Sequence, residues 1–313
     1  MRSVSLFAGI GGFDEALRRL GHDVVFANEF EEHAADIYDT HFDRPVDRRD
    51  LTTIDAADIP AHDILVGGFP CQAFSVAGQR RGFDETRGTL FFDVARILDH
   101  HRPQYLLLEN VKGLLSHDRG RTFETIITVL AELGYDCQWQ VCNSRDVGVP
   151  QNRERVYIAG HRRGLACPQV FPLPPVEAPS PAEASSTAID ANYWKGIDNH
   201  GQRTAIVTRP RGLNPGAIRE FAPTLTSSRW EQNTALLQTP LTWELDSDPA
   251  LLDEITMRRL TPLECERLQT FPDGWTARGV QGPIADTNRY RALGNAVTVD
   301  VVERVLRRLL PAA

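Results

Sequence analysis

Short apolar runs at residues 4–7, 24–27, 64–66 and 105–108 alternate with stretches of helical spacing at 14–20, 30–40, 89–101 and 122–133. The runs are too short for helices and carry few polar interruptions, so they read as strands buried on both faces. Strand followed by amphipathic helix, repeated, predicts βαβ units: an α/β fold with a mostly parallel, doubly wound sheet. Val141 and the run 156–159 predict that this sheet finishes with antiparallel strands.

The pattern then changes. Residues 168–181 contain six prolines, at 168, 172, 174, 175, 179 and 181, too many for a helix or a central strand. Residues 182–255 have weak periodicity and many Thr, Arg, Gly and Asn, as in a small loop-rich domain. Regular structure resumes at Thr261-Pro262-Leu263-Glu264, a helix start with a Thr cap, Pro in the first turn and Glu reaching back. A last helix is expected over 299–310. The implied division is a large domain from 1–165 plus 256–313 and a smaller one at 166–255, with 168–181 as hinge.

The 313 residues carry a net charge of −8, which argues against a nucleic-acid partner until its distribution is considered. Residues 1–66 hold 14 acidic and 6 basic side chains and so account for all of it. Residues 195–230 carry Lys195, Arg203, Arg209, Arg211, Arg219 and Arg229 against Asp198 and Glu220, a basic segment suited to a polyanion. No apolar run approaches the ~20 residues of a membrane span, and the first residues lack a signal peptide's layout, so a cytoplasmic protein is expected. The odd set Cys71, Cys137, Cys142, Cys167 and Cys265, without a Cys-x-x-Cys pair, argues against a disulfide framework or a structural zinc site.

Five motifs carry candidate chemistry. Phe7-Ala8-Gly9-Ile10-Gly11-Gly12-Phe13 is a glycine turn between the first strand and helix, where backbone can approach a nucleotide-like ligand. Asp14 breaks the dinucleotide fingerprint, which disfavours a nicotinamide or flavin enzyme. Asn28-Glu29 places a carboxylate where ribose hydroxyls would bind, and Asp50-Leu51 marks the next loop. Gly67 to Ser75 puts Cys71 just past a strand's carboxyl end, the position of a nucleophile and not of a packing cysteine. Glu109 follows four apolar residues, so desolvation should raise its pKa and suit it to general-acid work. Arg153 and Arg155, two apart on an extended segment, point the same way. Gly294-Asn295 is expected to open the last helix.

In this order and at these spacings the motifs resemble the DNA (cytosine-5) methyltransferase family. The likeness extends over residues 7–13, 67–75, 87–93, 109–111, 151–155, 259–272 and 294–297, nearly the whole chain apart from about 164–255. It implies a Rossmann-like S-adenosylmethionine-binding domain, a smaller target recognition domain, double-stranded DNA in the cleft between them, and no metal. By resemblance Cys71 is the nucleophile, Glu109 the acid, Arg155 the holder of the cytosine carbonyl and Arg153 its neighbour beside nucleophile and phosphate. The cofactor would be lined by Phe7, Ala8, Gly9, Gly11, Gly12, Phe13, Glu29, Phe30, Asp50, Leu51, Pro70, Asn295 and Ala296. DNA would be met by Gln72, Ser75, Gln79, Arg80 and Arg81 in a closing loop, and by Arg209, Arg211, Thr224, Leu225 and Arg229 in the variable region. A bacterial or phage monomer, often paired with a restriction endonuclease, is the implied setting.

Two features depart from the family: Ser5 stands where Asp is frequent, and Phe30 where a larger aromatic is common. The rival readings are a tRNA methyltransferase of the same family and a catalytically silent DNA-binding protein. The tRNA branch carries a Cys-Phe-Thr signature in its recognition region, which this chain lacks.

Overall fold

The computed structural model describes residues 1–70, 90–149, 151–166, 168–174, 176 and 260–311, with the backbone of five short strands between 205 and 259. Its first half builds β1 (Arg2–Leu6), α1 (Gly12–Arg19), β2 (Asp23–Asn28), α2 (Glu32–Tyr38), β3 (Ile64–Gly68), α3 (Leu90–His101), β4 (Tyr105–Val111) and α4 (Arg121–Glu132). β5 (Tyr135–Asn143), β6 (Gln151–Asn152) and β7 (Glu154–Arg162) follow. The expected strands and helices are all present, and each strand pairs as the βαβ reading requires.

The main sheet has the order β2-β1-β3-β4-β7-β5. β1 to β4 are parallel, and β7 runs against both β4 and β5. The chain leaves β1 toward β2 on one side and returns to β3 on the other, creating a crevice at the carboxyl ends where ligands bind in open α/β sheets. Alternating strand residues feed two cores. Ile64, Val66, Tyr105, Leu107, Tyr157 and Ala159 pack toward α1 and α7 (Val299–Leu309). Leu65, Leu106, Leu108, Val156 and Ile158 pack toward α3 and α4. Both faces are covered, which is why these strands are almost uninterruptedly apolar.

In the later chain β8 (Ala205–Val207), β9 (Ile218–Arg219), β11 (Ala235–Leu237) and β12 (Met257–Arg259) form a second sheet in the order β12-β11-β8-β9. β10 (Ala222–Pro223) pairs in parallel with β6, joining Ala222 to Gln151 and Pro223 to Asn152. α5 (Pro262–Leu268) begins with the expected capping box between Thr261 and Glu264. β13 (Arg278–Gly279) and β14 (Gly282–Pro283) form a small hairpin before α6 (Asp286–Asn295).

One expected boundary is corrected. Gly294-Asn295 does not open the last helix; it closes α6, and Thr298 starts α7 afresh. The physical reason is tertiary: Arg153 Nη2 takes the carbonyls of Gly294 (3.2 Å) and Ala296 (2.6 Å), groups a continuing helix would have used. Among the described residues, no helix is long and apolar enough to cross a membrane.

Candidate active site

β1 ends at Leu6, and the chain turns sharply through Phe7 (φ 55°), Gly9 (φ 57°) and Gly11 (φ 88°) into α1. A methyl group at Gly11 would lie 2.4 Å from the ring of Phe42, and one at Gly12 would lie 2.6 Å from Val297, so the back of the turn is filled. Ala8 N–H donates to the carbonyl of Asn28 at the end of β2 (2.9 Å), and Gly9 N–H donates to Glu29 Oε2 (2.8 Å). The other Glu29 oxygen accepts Glu31 N–H (2.7 Å). Burial raises the Glu29 pKa, and these backbone donors oppose the rise. Phe30, beside it, is 71% exposed. Asn28 holds the next loop through the carbonyls of Asp47 and Arg49. There Asp50 caps Thr52, while the Leu51 side chain is buried in the core. Phe13 is buried against the same core as α7.

Glu109 stands at the carboxyl end of β4, in register with Gly68 on β3 and Tyr157 on β7. Its carboxylate is buried, and burial raises its pKa against the opposing charges of Arg155 and Arg153. Arg155 Nε lies 3.1 Å from Glu109 Oε1, and both side chains are largely buried. Arg153 is buried more deeply and braces the α6 terminus through Gly294 and Ala296. Next in sequence, Asn110 donates to the carbonyl of Phe69 (2.8 Å) and so ties the turn after β3 to the end of β4. Pro70 is exposed there, and Asn295 is exposed beside buried Ala296.

Cys71, Gln72, Ser75, Gln79, Arg80, Arg81, Arg209, Arg211, Thr224, Leu225 and Arg229 lie outside the described residues. The strand pairing nevertheless bears on one neighbourhood: Pro223, just before Thr224-Leu225, is joined to Asn152, just before Arg153. Cys137, Cys142 and Cys265 are free thiols. Burial pushes Cys137 and Cys142 up to about 12, and Cys265 upward as well, so none of them ionises near neutral pH.

Sequence reasoning passes over two groups. Gly68 leaves room for Glu109: a methyl at that position would lie 3.1 Å from Oε2. Asp14, read only as a break in a fingerprint, is fully buried under the turn, accepting the hydroxyls of Ser5 (2.7 Å) and Tyr38 (2.8 Å). Ser5, the departure at the end of β1, thus has a partner in Asp14. An acidic residue on the buried face of α1 was the available signal.

A family model described as "C-5 cytosine-specific DNA methylase" matches residues 1–310. The chain is 39% identical to the Type II methyltransferase M1.ScrFI of Lactococcus lactis subsp. cremoris, over 99% of this chain and 78% of the relative. It is 35% identical to M.HpaII of Haemophilus parainfluenzae, covering 98% of this chain and 88% of that one. It is also 35% identical to the DNA-cytosine methyltransferase of Escherichia coli K12, covering 99% and 77%. In fold it is similar to the S. pombe Dnmt2 methyltransferase, with a TM-score of 0.75 at 21% identity over 99% of this chain and 98% of that chain. A glycine turn backed by a buried carboxylate and a desolvated Glu109 paired with Arg155 thus coincide with a family match over residues 1–310: this chain belongs to the C-5 cytosine-specific DNA methylase family.

Proposed function

We propose that the protein transfers a methyl group from S-adenosylmethionine to carbon 5 of a cytosine in double-stranded DNA, at a specific sequence. The observation that carries this reading is Glu109: buried, raised in pKa, in contact with Arg155, and in register with Gly68 three residues before Cys71.

The chemistry follows from the base. Carbon 5 of cytosine is too electron-poor to attack a methyl sulfonium by itself. Cys71 adds as thiolate to carbon 6, forming the S–C6 bond and making carbon 5 nucleophilic. Glu109 donates its proton to N3, so no anion accumulates on the ring. Arg155 holds the cytosine carbonyl oxygen, and Arg153 stands beside the nucleophile and the DNA backbone phosphate. Carbon 5 takes the methyl group as the sulfonium S–CH3 bond breaks, leaving S-adenosylhomocysteine; the carbon 5 proton then leaves to solvent, the S–C6 bond breaks, and the N3 proton returns to Glu109. These atoms are inaccessible within a stacked duplex, so the cytosine is flipped out.

The residues around the glycine turn fit the cofactor. Among the described residues nothing lies within 4 Å of a methyl group placed on Gly9, whereas the space behind Gly11 and Gly12 is filled. Glu29 would take the ribose hydroxyls, Phe30 would stack on the adenine, and Asp50-Leu51 would stand at the adenine's polar edge. Phe7, Ala8, Phe13, Pro70, Asn295 and Ala296 would line the rest. When bound, S-adenosylmethionine supplies an electrophilic methyl group.

Residues 1–165 and 256–313 form the catalytic domain in this reading, and 166–255 the target recognition domain. Gln72, Ser75, Gln79, Arg80 and Arg81 would close on DNA, with Arg209, Arg211, Thr224, Leu225 and Arg229 as readers. A cytoplasmic monomer, paired with a restriction endonuclease, completes the proposal.

Bisulfite sequencing of DNA from cells expressing the wild type and Cys71→Ala tests it. Methylcytosine confined to one short motif, present only with the wild type, is expected. Methyl incorporation into tRNA and not into DNA would transfer the assignment to an RNA substrate.

A further inference from the structure

The glycine turn is braced from behind by a part of the chain 265 residues away in sequence. Trp275 Nε1–H donates to the carbonyl of Ile10, between Gly9 and Gly11, at 2.8 Å. The indole is 5% exposed: His41 stacks on it at 3.6 Å with planes 10° apart, Phe271 lies tilted against it at 5.3 Å, and Phe42 meets it edge-on at 6.0 Å. The same Phe42 occupies the space behind Gly11.

Trp275 is itself held on both sides. Glu266 of α5, fully buried, accepts the N–H of Gly274 (2.7 Å) and of Thr276 (2.8 Å), and Arg289 of α6 pairs with it at 3.1 Å. α5 begins three residues after β12, the last strand of the second sheet. A continuous chain of contacts therefore runs from α5, through Glu266 and Trp275, to the peptide between Ile10 and Gly11. The orientation of this peptide sets the shape of the turn, because Gly9 and Gly11 on either side are left-handed and have no side chain to fix them.

We propose that Trp275 is a positioning residue for the methyl-donor site: its indole N–H fixes the Ile10 carbonyl and holds the glycine turn in its binding shape. This rests on the reading of the turn as the S-adenosylmethionine site.

The test is Trp275→Phe in the full chain, which keeps an aromatic ring and removes the donor. S-adenosylmethionine binding should weaken about tenfold, the scale of one lost buried hydrogen bond with its acceptor left unpaired. KM for S-adenosylmethionine should rise with it, while kcat at saturating cofactor and Kd for duplex DNA stay at wild-type values. Wild-type cofactor affinity in the variant overturns the proposal and leaves the cofactor site standing. Equal losses in cofactor affinity, DNA affinity and kcat reduce Trp275 to a packing residue and also overturn it. A wild type that binds no S-adenosylmethionine removes the reading beneath it. Should Trp275→Phe not fold, His41→Leu removes both supports that His41 gives Trp275, the stacked ring and the hydrogen bond from Nε2 to the Trp275 carbonyl (2.7 Å); a two- to threefold loss of cofactor affinity is expected, and no loss overturns the proposal.

Discussion

Gly68 and Glu109 are register partners at the carboxyl ends of β3 and β4, and a methyl group on Gly68 would lie 3.1 Å from the Glu109 carboxylate. The absence of a side chain on one strand therefore sets the position of an acid on the next. That carboxylate also meets Arg155 at 3.1 Å, so its place is fixed from two sides.

Gly68→Ala tests this spacing. The contact is with the end of a flexible side chain, so the fold should survive with its thermal midpoint changed by a few degrees at most. The methylation rate should fall about ten- to a hundredfold, because a small misplacement of a proton donor is costly. Single-turnover methylation beside thermal unfolding checks it; an unaltered rate would show that Glu109 tolerates displacement.

Glu109 gives a pH dependence with a definite sign. It acts protonated, and burial raises its pKa, so activity should fall as pH rises through its folded pKa. Arg155 opposes that rise. Arg155→Ala should thus move the alkaline limb of the rate profile to higher pH, even as the maximal rate drops. Glu109→Gln should lose about 100-fold or more and show no such limb. Rate profiles of the three proteins decide; a limb shifted to lower pH in Arg155→Ala would contradict the charge assignment.

Asp14 predicts a stabilising substitution. Burial raises its pKa from 3.8 to about 6 despite hydrogen bonds from Ser5 and Tyr38. A raised folded pKa contributes stability that is complete below about pH 3.8 and lost as pH rises through about 6. Asp14→Asn does not titrate and should be more stable than the wild type at pH 8, by on the order of 2–3 kcal/mol. The gain should vanish near pH 4. Urea unfolding at both pH values measures it, and an equal gain at both would point to packing instead.

Glu266 predicts the opposite. It is buried, pairs with Arg289 at 3.1 Å and receives two backbone N–H groups. Glu266→Ala leaves Arg289 and both donors without this partner and should cost about 3–5 kcal/mol. A denaturation midpoint within error of wild type would show that the network reorganises freely.

How much of this was legible beforehand varied with the range of the interaction responsible. The parallel strands were readable because burial on both faces writes a continuous apolar run into a local stretch of sequence. The capping box at Thr261 was readable for the same reason: its partners are three residues apart. Glu109 could be placed at a desolvated strand end, but its contact with Arg155 depends on the antiparallel β4–β7 register, which periodicity cannot set. The misplaced helix boundary at Gly294-Asn295 arose likewise, since Arg153, 141 residues away, takes the carbonyl that decides it.

By itself, then, the sequence determined the alternation of elements, the edge of the sheet where the chemistry collects, and the kinds of group gathered there. Those are local properties: spacing of apolar residues, glycine where backbone must turn, an acid after an apolar strand. Only the tertiary structure decided that Gly68 makes room for Glu109, that Asp14 and Ser5 share one buried site, and that Trp275 supports the turn at Ile10. Each joins residues brought together by sheet register and helix packing, and free energy of that kind depends on distance in space, which no local pattern along the chain records.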